Sequence, residues 1–232
     1  MILALELSGP SATVAIGSAS GVLERDFSGE RGRALIAEVD ALVREADIDK
    51  HAIRGILVGR GPGSYTGLRI ACAAARTLGH ALGIPVGGVG SFPAAALNAP
   101  VGSQVHIVLD AYRGEVYHAV YKRTEDGVEE KQGPRLLATP DLRGALASEA
   151  IILGDPELTP GGAHHLADLV APRAKSLIQL ALAQGVEWDG SGVETLGDPT
   201  PLYLRAAAFR PAAIQERGAL LPPSKKTDGA PG

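Results

Sequence analysis

The sequence predicts an α/β fold in which a mixed β-sheet is flanked by helices, with a candidate domain junction at 98–103. Three observations carry this reading. Over residues 1–100 the hydrophobic pattern runs strand, strand, strand, helix, strand, helix, strand, helix. The apolar run 53–58 leads through Gly59-Arg60-Gly61-Pro62-Gly63-Ser64-Tyr65-Thr66-Gly67 into an Ala-rich helix, as a crossover between parallel strands would. After 98–103, which contains Pro100 and Gly102, a second set of strands begins.

The elements follow in order. Residues 2–7 form an apolar strand, and 8–11, with Gly9 and Pro10 inside, a turn. Segments 12–16 and 21–27 are the next two strands, and short turns join all three into an antiparallel meander. Apolar residues at 35, 36, 39, 42, 43 and 46 make a helical stripe over 33–46. Strand 53–58 and helix 68–82 follow, with Ser64 and Thr66 placed to cap the helix. Gly83 closes that helix and Pro85 forbids its continuation. A strand at 85–89 and a short helix at 91–97, capped by Ser91, complete the first lobe. The second half reads as strands 105–109, 115–121 and 127–137, helix 138–148, strand 150–153, and helices 163–170 and 174–184. It echoes the first half loosely, without a sequence repeat. Lobes are expected at 1–100 and 101–208, then a segment 209–232 whose last ten residues are polar, Pro-rich and expected to be disordered.

Composition narrows the function classes. Hydrophobic residues make up 45% of the 232, enough to bury a core. The net charge of −4 argues against a broad basic surface for nucleic acid and leaves room only for local basic strips. A single cysteine, Cys72, excludes an internal disulfide and a cysteine zinc site and fits a reducing cytoplasm. It lies inside a helix, where an inert, packed thiol is expected. No run of about 18 apolar residues predicts a membrane span. The opening Ile2-Leu3-Ala4-Leu5-Glu6 has neither the basic start nor the long apolar region of a secretory leader.

The motifs leave two readings open. Gly67 is followed by Leu68-Arg69, so the glycine turn lacks the lysine of a P-loop, and Ser64 stands where a dinucleotide fingerprint has its third glycine. Such a turn either touches phosphate through its amides or lets helix and strand pack closely. In the hairpin 6–13 an acid at a strand end precedes small hydroxyls, which could hold phosphate, with magnesium bound through water. The alternative is a surface hairpin whose serines satisfy their own turn. Nucleotide- or phosphate-binding candidates are therefore Glu6, Ser8, Ser11, Gly61, Gly63, Ser64 and Thr66. No His-x-x-x-His and no Gly-x-Ser-x-Gly occurs, and His164-His165 are adjacent, so neither a metal site nor a serine nucleophile is expected. Two helices carry candidate docking faces: Leu35, Val39 and Leu42 on the first, and Leu68, Ile70, Ala71, Ala74, Ala75 and Leu78 on the second. Packing on their own sheet must use most of this surface. A helix apolar nearly all round is covered on both sides, which suggests a partner.

Four segments together resemble the TsaB (YeaZ) family, a bacterial subunit of the machinery that makes threonylcarbamoyladenosine on tRNA. They are Ile2-Leu3-Ala4-Leu5-Glu6-Leu7-Ser8 with Thr13-Val14-Ala15-Ile16, the run from Gly59 to Ile70, Asp110-Ala111-Tyr112-Arg113-Gly114-Glu115-Val116-Tyr117, and Pro201-Leu202-Tyr203-Leu204-Arg205. The resemblance implies an actin-like, ribonuclease-H-type fold of two lobes. It also implies a non-catalytic scaffold that binds and activates the paralogue TsaD, works with the ATPase TsaE, reaches tRNA through the complex, and forms a homodimer when alone. The His-x-x-x-His pair of TsaD falls here at about Ser91 and Ala95, neither of them a metal ligand. Two departures stand out: Glu6 replaces the usual Asp, and Gly9-Pro10 replaces more hydroxyl-rich residues. ATP and magnesium are accordingly expected in the complex rather than on this chain alone. The rival reading is an independent ATP-binding phosphotransferase or ATPase of the actin-like class.

Overall fold

The computed structural model describes residues 1–28, 31–146, 151–154, 156–158, 164–165 and 171–205. Strands β1 (Ile2–Glu6), β2 (Ala12–Ser18) and β3 (Gly21–Phe27) form the expected meander. Helix α1 (Arg31–Glu45) leads to β4 (Gly55–Gly59), then α2 (Tyr65–Leu82), β5 (Val86–Val89) and α3 (Ser91–Ala96). β4 and β5 add to β1 in parallel, giving a five-stranded mixed sheet in the order β3-β2-β1-β4-β5. β1 lies at its centre and is buried along its whole length, so it reads as a continuous apolar run rather than an alternating one. Its residues still divide by parity. Leu3, Leu5 and Leu7 share one cluster with Leu35, Leu42, Ala71 and Ala75 of α1 and α2. Ile2 and Ala4 face the other way.

The second sheet contains β6 (Gln104–Asp110), β7 (Glu115–Thr124), β8 (Gly127–Ala138), β9 (Ile151–Gly154) and β10 (His164–His165). Its order, β8-β7-β6-β9-β10, repeats that of the first sheet strand for strand, with a hairpin edge and then two parallel additions. The topology is duplicated although no sequence repeat betrays it.

Three expectations are corrected. His164 and His165 pair in parallel with Ile151 and Ile152, so these residues of the expected helix 163–170 are strand. Eight residues are too few for an apolar stripe to separate the two periods. Over its described residues the expected helix 138–148 is the end of β8 at Ala138, a 3-10 turn at Thr139–Asp141 and one turn, α4 (Leu142–Ala145), because Ala138 still pairs with Glu115 and the backbone turns extended at Leu146. Helix α5 (Ala174–Ala183), assigned by sequence to the second lobe, packs on the first sheet: Leu177, Ile178 and Ala181 cluster with Ile2, Ala4, Ala15 and Leu57. The tail 209–232 lies outside the described residues.

Candidate functional site

The first sheet delivers Glu6 at the end of β1 and Gly59 at the end of the neighbouring β4. The side chain of Glu6 lies under Gly59 so closely that a Cβ there would sit 2.0 Å from Glu6 Oε2. Glu6 is fully buried. Its Oε1 accepts the Ser8 amide at 2.7 Å, while Oε2 and the Ser8 hydroxyl are buried without a hydrogen-bond partner. Burial pushes the carboxyl of Glu6 above the usual carboxylate range, and the bond from the Ser8 amide acts in the opposite sense.

The glycine turn closes over this acid. The Ser64 amide donates to the Ser8 carbonyl at 2.8 Å. The Gly61 amide donates to Ser91 Oγ at 2.9 Å. Ser64 Oγ caps α2 by accepting from the Gly67 amide at 3.2 Å. Gly63 has φ +156°, and a Cβ on it would meet the Ser8 carbonyl oxygen at 2.2 Å, so only glycine permits the approach. On its other side the hairpin abuts Ala171 and Pro172 at Gly9.

Of the phosphate-binding candidates, Glu6, Ser8, Gly61, Gly63 and Ser64 come together here. Ser11 and Thr66 are exposed. The position of Glu6 corrects the idea of an acid holding magnesium through water: its carboxylate faces the interior. The cap of α3 is Gly90 rather than the expected Ser91, whose hydroxyl accepts from the Gly61 amide instead. Chemically, the arrangement is a latch, in which the amides of Gly61, Ser64 and Gly67 are engaged within the chain.

The docking candidates divide. Leu35, Val39, Leu42, Leu68, Ala71 and Ala75 are buried in the chain's own core, which leaves them no surface for a partner. Ile70, Ala74 and Leu78 are half-buried and pack against that core. Ile36, Ala73 and Thr77 are exposed, among polar and charged neighbours such as Asp40, Arg44, Arg69 and Arg76.

A strap that periodicity alone does not flag runs from 197 to 205. The Gly88 amide donates to Gly197 O at 2.7 Å, Arg60 Nε to Thr200 O at 3.0 Å, and the Leu202 amide to Arg60 O at 2.8 Å. Tyr203 lies 4.9 Å from Tyr65 ring to ring, and Arg205 forms an ion pair with Glu115 of β7. The strap thus ties the glycine turn to the second lobe.

Other reactive groups are structural. Burial pushes the Cys72 thiol up to about 11, as expected of a packed cysteine. His106 Nδ1 and His118 Nε2 lie 3.0 Å apart inside the second sheet. Among the described residues no three potential metal ligands converge.

Comparisons with known proteins place this geometry. The model of the TsaD tRNA N6-adenosine threonylcarbamoyltransferase family matches residues 16–155. An uncharacterised protein of Mycobacterium tuberculosis (strain H37Rv) is 36% identical over 180 residues, covering 78% of this chain and 75% of the relative. The solved structure of YeaZ from Pseudomonas aeruginosa superposes with a TM-score of 0.70 at 25% identity, over 88% of this chain and 99% of that one. The chain belongs to the TsaB/YeaZ family. The Escherichia coli (K12) protein TsaB, which carries the name of tRNA threonylcarbamoyladenosine biosynthesis, is 26% identical over 221 residues, 88% of this chain and 94% of the relative. The two-lobe α/β architecture is that of the TsaB/YeaZ fold, and the family match includes the whole glycine turn and the 110–115 turn.

Proposed function

We propose that this chain is a non-catalytic subunit of the machinery forming N6-threonylcarbamoyladenosine at position 37 of tRNA, and that it works in the cytoplasm by docking onto a TsaD-type subunit. Kinship with TsaB supports the pathway. The observation that carries the non-catalytic reading is the closed latch: the amides of Gly61, Ser64 and Gly67 are bonded within the chain, above an acid that does not reach solvent. The two positions where the resemblance puts the metal-binding histidines of TsaD hold Ser91, bonded to Gly61, and Ala95, packed in the core around α3. ATP and magnesium then belong to the complex, in which TsaE is the ATPase. Among the described residues no helix is long and apolar enough to cross a membrane.

The docking surface is the outer side of α1 and α2. Gly32 of α1 meets Ile70 of α2, and Ile36, one turn further, is 49% exposed. Small residues at 73 and 74 let another helix approach. An interface of standard size, about 1,200–2,000 Å² in total, would cover this face, and a second copy of the chain would cover it when TsaD is absent. The test is co-elution with a TsaD-type subunit. Ala73→Glu and Ile36→Arg should abolish it while circular dichroism of the lone chain stays unchanged; retained complex defeats the docking reading. Titration calorimetry with ATP separates the rival, since micromolar affinity and turnover by the lone chain would make it a phosphotransferase.

A further inference from the structure

Seven large hydrophobic side chains are exposed among the described residues, and four of them, Tyr65, Tyr112, Leu202 and Tyr203, lie along one strip. The strip begins at the first residue of α2, follows the strap, and ends at the turn between β6 and β7. Tyr65 and Tyr203 are in ring contact, and the Arg69 guanidinium lies 4.6 Å from the centre of the Tyr65 ring. At the far end Arg205 reaches the Tyr112 carbonyl at 3.5 Å. Tyr112 and Arg113 have the left-handed φ values of 59° and 61°, and both are exposed, Tyr112 at 69%.

The charges on the strip are unequal in availability. Glu115 is engaged by Arg205, and the Asp110 carboxylate accepts the Tyr112 amide at 2.7 Å. Asp198 is exposed beside Arg60, at the edge of the strip. Arg69 and Arg113 are exposed and make no ion pair among the described residues. The strip therefore offers flat aromatic faces between two unneutralised guanidinium groups.

We propose that this strip binds an unpaired or looped segment of RNA, with bases stacking on Tyr112 and Tyr203 and phosphates meeting Arg69 and Arg113. Unpaired bases expose π-faces that stack on tyrosine, and a guanidinium fork matches a phosphate. Tyrosine and arginine also serve protein interfaces, but a protein partner would have to bring an acid to each of Arg69 and Arg113, because burying two unpaired cations is costly. The net charge of −4 means that general attraction to phosphate contributes little, so stacking must supply the affinity. The proposal rests on the tRNA-modification reading for which RNA is bound.

The test is fluorescence anisotropy of a labelled anticodon stem–loop RNA with the full chain, without any TsaD-type subunit. Tyr112→Ala and Tyr203→Ala should each weaken binding about tenfold, and Tyr112→Phe should restore it. For two phosphate contacts log K against log salt should have a slope of about −1.4, and Arg69→Gln or Arg113→Gln should each remove about 0.7 of it. Wild-type chain that leaves the anisotropy unchanged, or alanine variants that bind like wild type, overturns the proposal. So does loss of the TsaD-type subunit by the same variants with RNA binding intact, which would make the strip a protein interface. Because the assay contains only this chain and RNA, its failure leaves the helix-face docking reading standing. Failed docking by Ala73→Glu likewise leaves RNA binding untouched.

Discussion

The two sheets share one strand order and treat the acid at the end of their first strand in opposite ways. β1 ends in Glu6 and β6 in Asp110. Beside β1, the parallel neighbour β4 runs on to Gly59, which roofs the carboxylate. Beside β6, the last partner on β9 is Gly154, paired with Val108, two residues short of Asp110. Asp110 is exposed, and its carboxylate accepts the amide of Tyr112 in the turn that displays that tyrosine. The topology sets where a turn lies. At the end of β1 a neighbouring glycine covers the acid and the turn is a closed latch, whereas at the end of β6 the acid is exposed and the turn is an open surface.

The sharpest way to break the comparison is to add one methyl group. Gly63→Ala would place a Cβ 2.2 Å from the Ser8 carbonyl oxygen at a φ of +156°, and Gly154→Ala one 1.8 Å from the Val108 carbonyl oxygen at +147°. Each should cost about 3 kcal/mol or more, because backbone must move in both cases. Gly114→Ala, at φ +75° with nothing within 4 Å, should cost only about 1 kcal/mol. Denaturant unfolding gives all three values. If Gly63→Ala proves as mild as Gly114→Ala, the turn does not roof Glu6 as described.

The pH dependence of stability should split the lobes by sign. The second sheet buries His106 against His118, and burial pushes the His118 imidazole down to about 4, helped by His106 and Arg135. A lowered base binds fewer protons folded than unfolded. Its contribution is therefore fully present above the ordinary value of 6.5 and is lost as pH falls toward 4, by roughly 3 kcal/mol at most. Glu6 goes the other way: its raised carboxyl favours the fold below the ordinary 4.5, and that support is lost as pH rises through the folded value. His118→Gln should flatten the acid limb of the stability profile, and Glu6→Gln, which keeps an acceptor for the Ser8 amide, should flatten the decline above 4.5. If Glu6→Gln steepens that decline, the carboxylate is stabilised in its charged form and the latch holds an ion.

Some of this was legible in the residues and some could not have been. The meander showed itself through its period and turn residues, and the crossover through the glycines at 59, 61, 63 and 67. The stripe Leu35, Val39 and Leu42 announced that α1 is covered on that side, but a stripe looks the same whether the cover is the chain's own sheet or another protein. α5 posed the same problem at larger scale. Its apolar face predicts burial, and nothing within 174–183 names which of two similar sheets receives it. The acid at 6 was visible, yet its burial depends on Gly59, more than fifty residues away. The strap 197–205 has no period, and its role emerges from its bonds to Arg60 and Gly88 and its contacts with Tyr65 and Glu115.

The smallest expected effect tests that return of the chain to the first sheet. Arg173, just before α5, donates to Glu24 at 2.7 Å and to both oxygens of Asp26 at 3.0 and 2.7 Å, on β3. Next to it the Ala174 amide donates to the buried Thr13 hydroxyl at 2.8 Å. The Arg173 pair with Asp26 is half in water, so its contribution is modest, whereas the contact with the more protected Glu24 and the forked geometry raise it. Arg173→Ala should cost about 1 kcal/mol, and Arg173→Lys, which keeps the charge but loses the fork, somewhat less. High salt should narrow the gap between wild type and both variants. Since α5 also covers Ile2 and Ala4 through Leu177 and Ile178, the helix should stay docked in either variant. Hydrogen exchange over 174–183 checks this: protection lost at that helix alone would mean that the ion pairs, and not the apolar face, hold the second crossing of the chain in place.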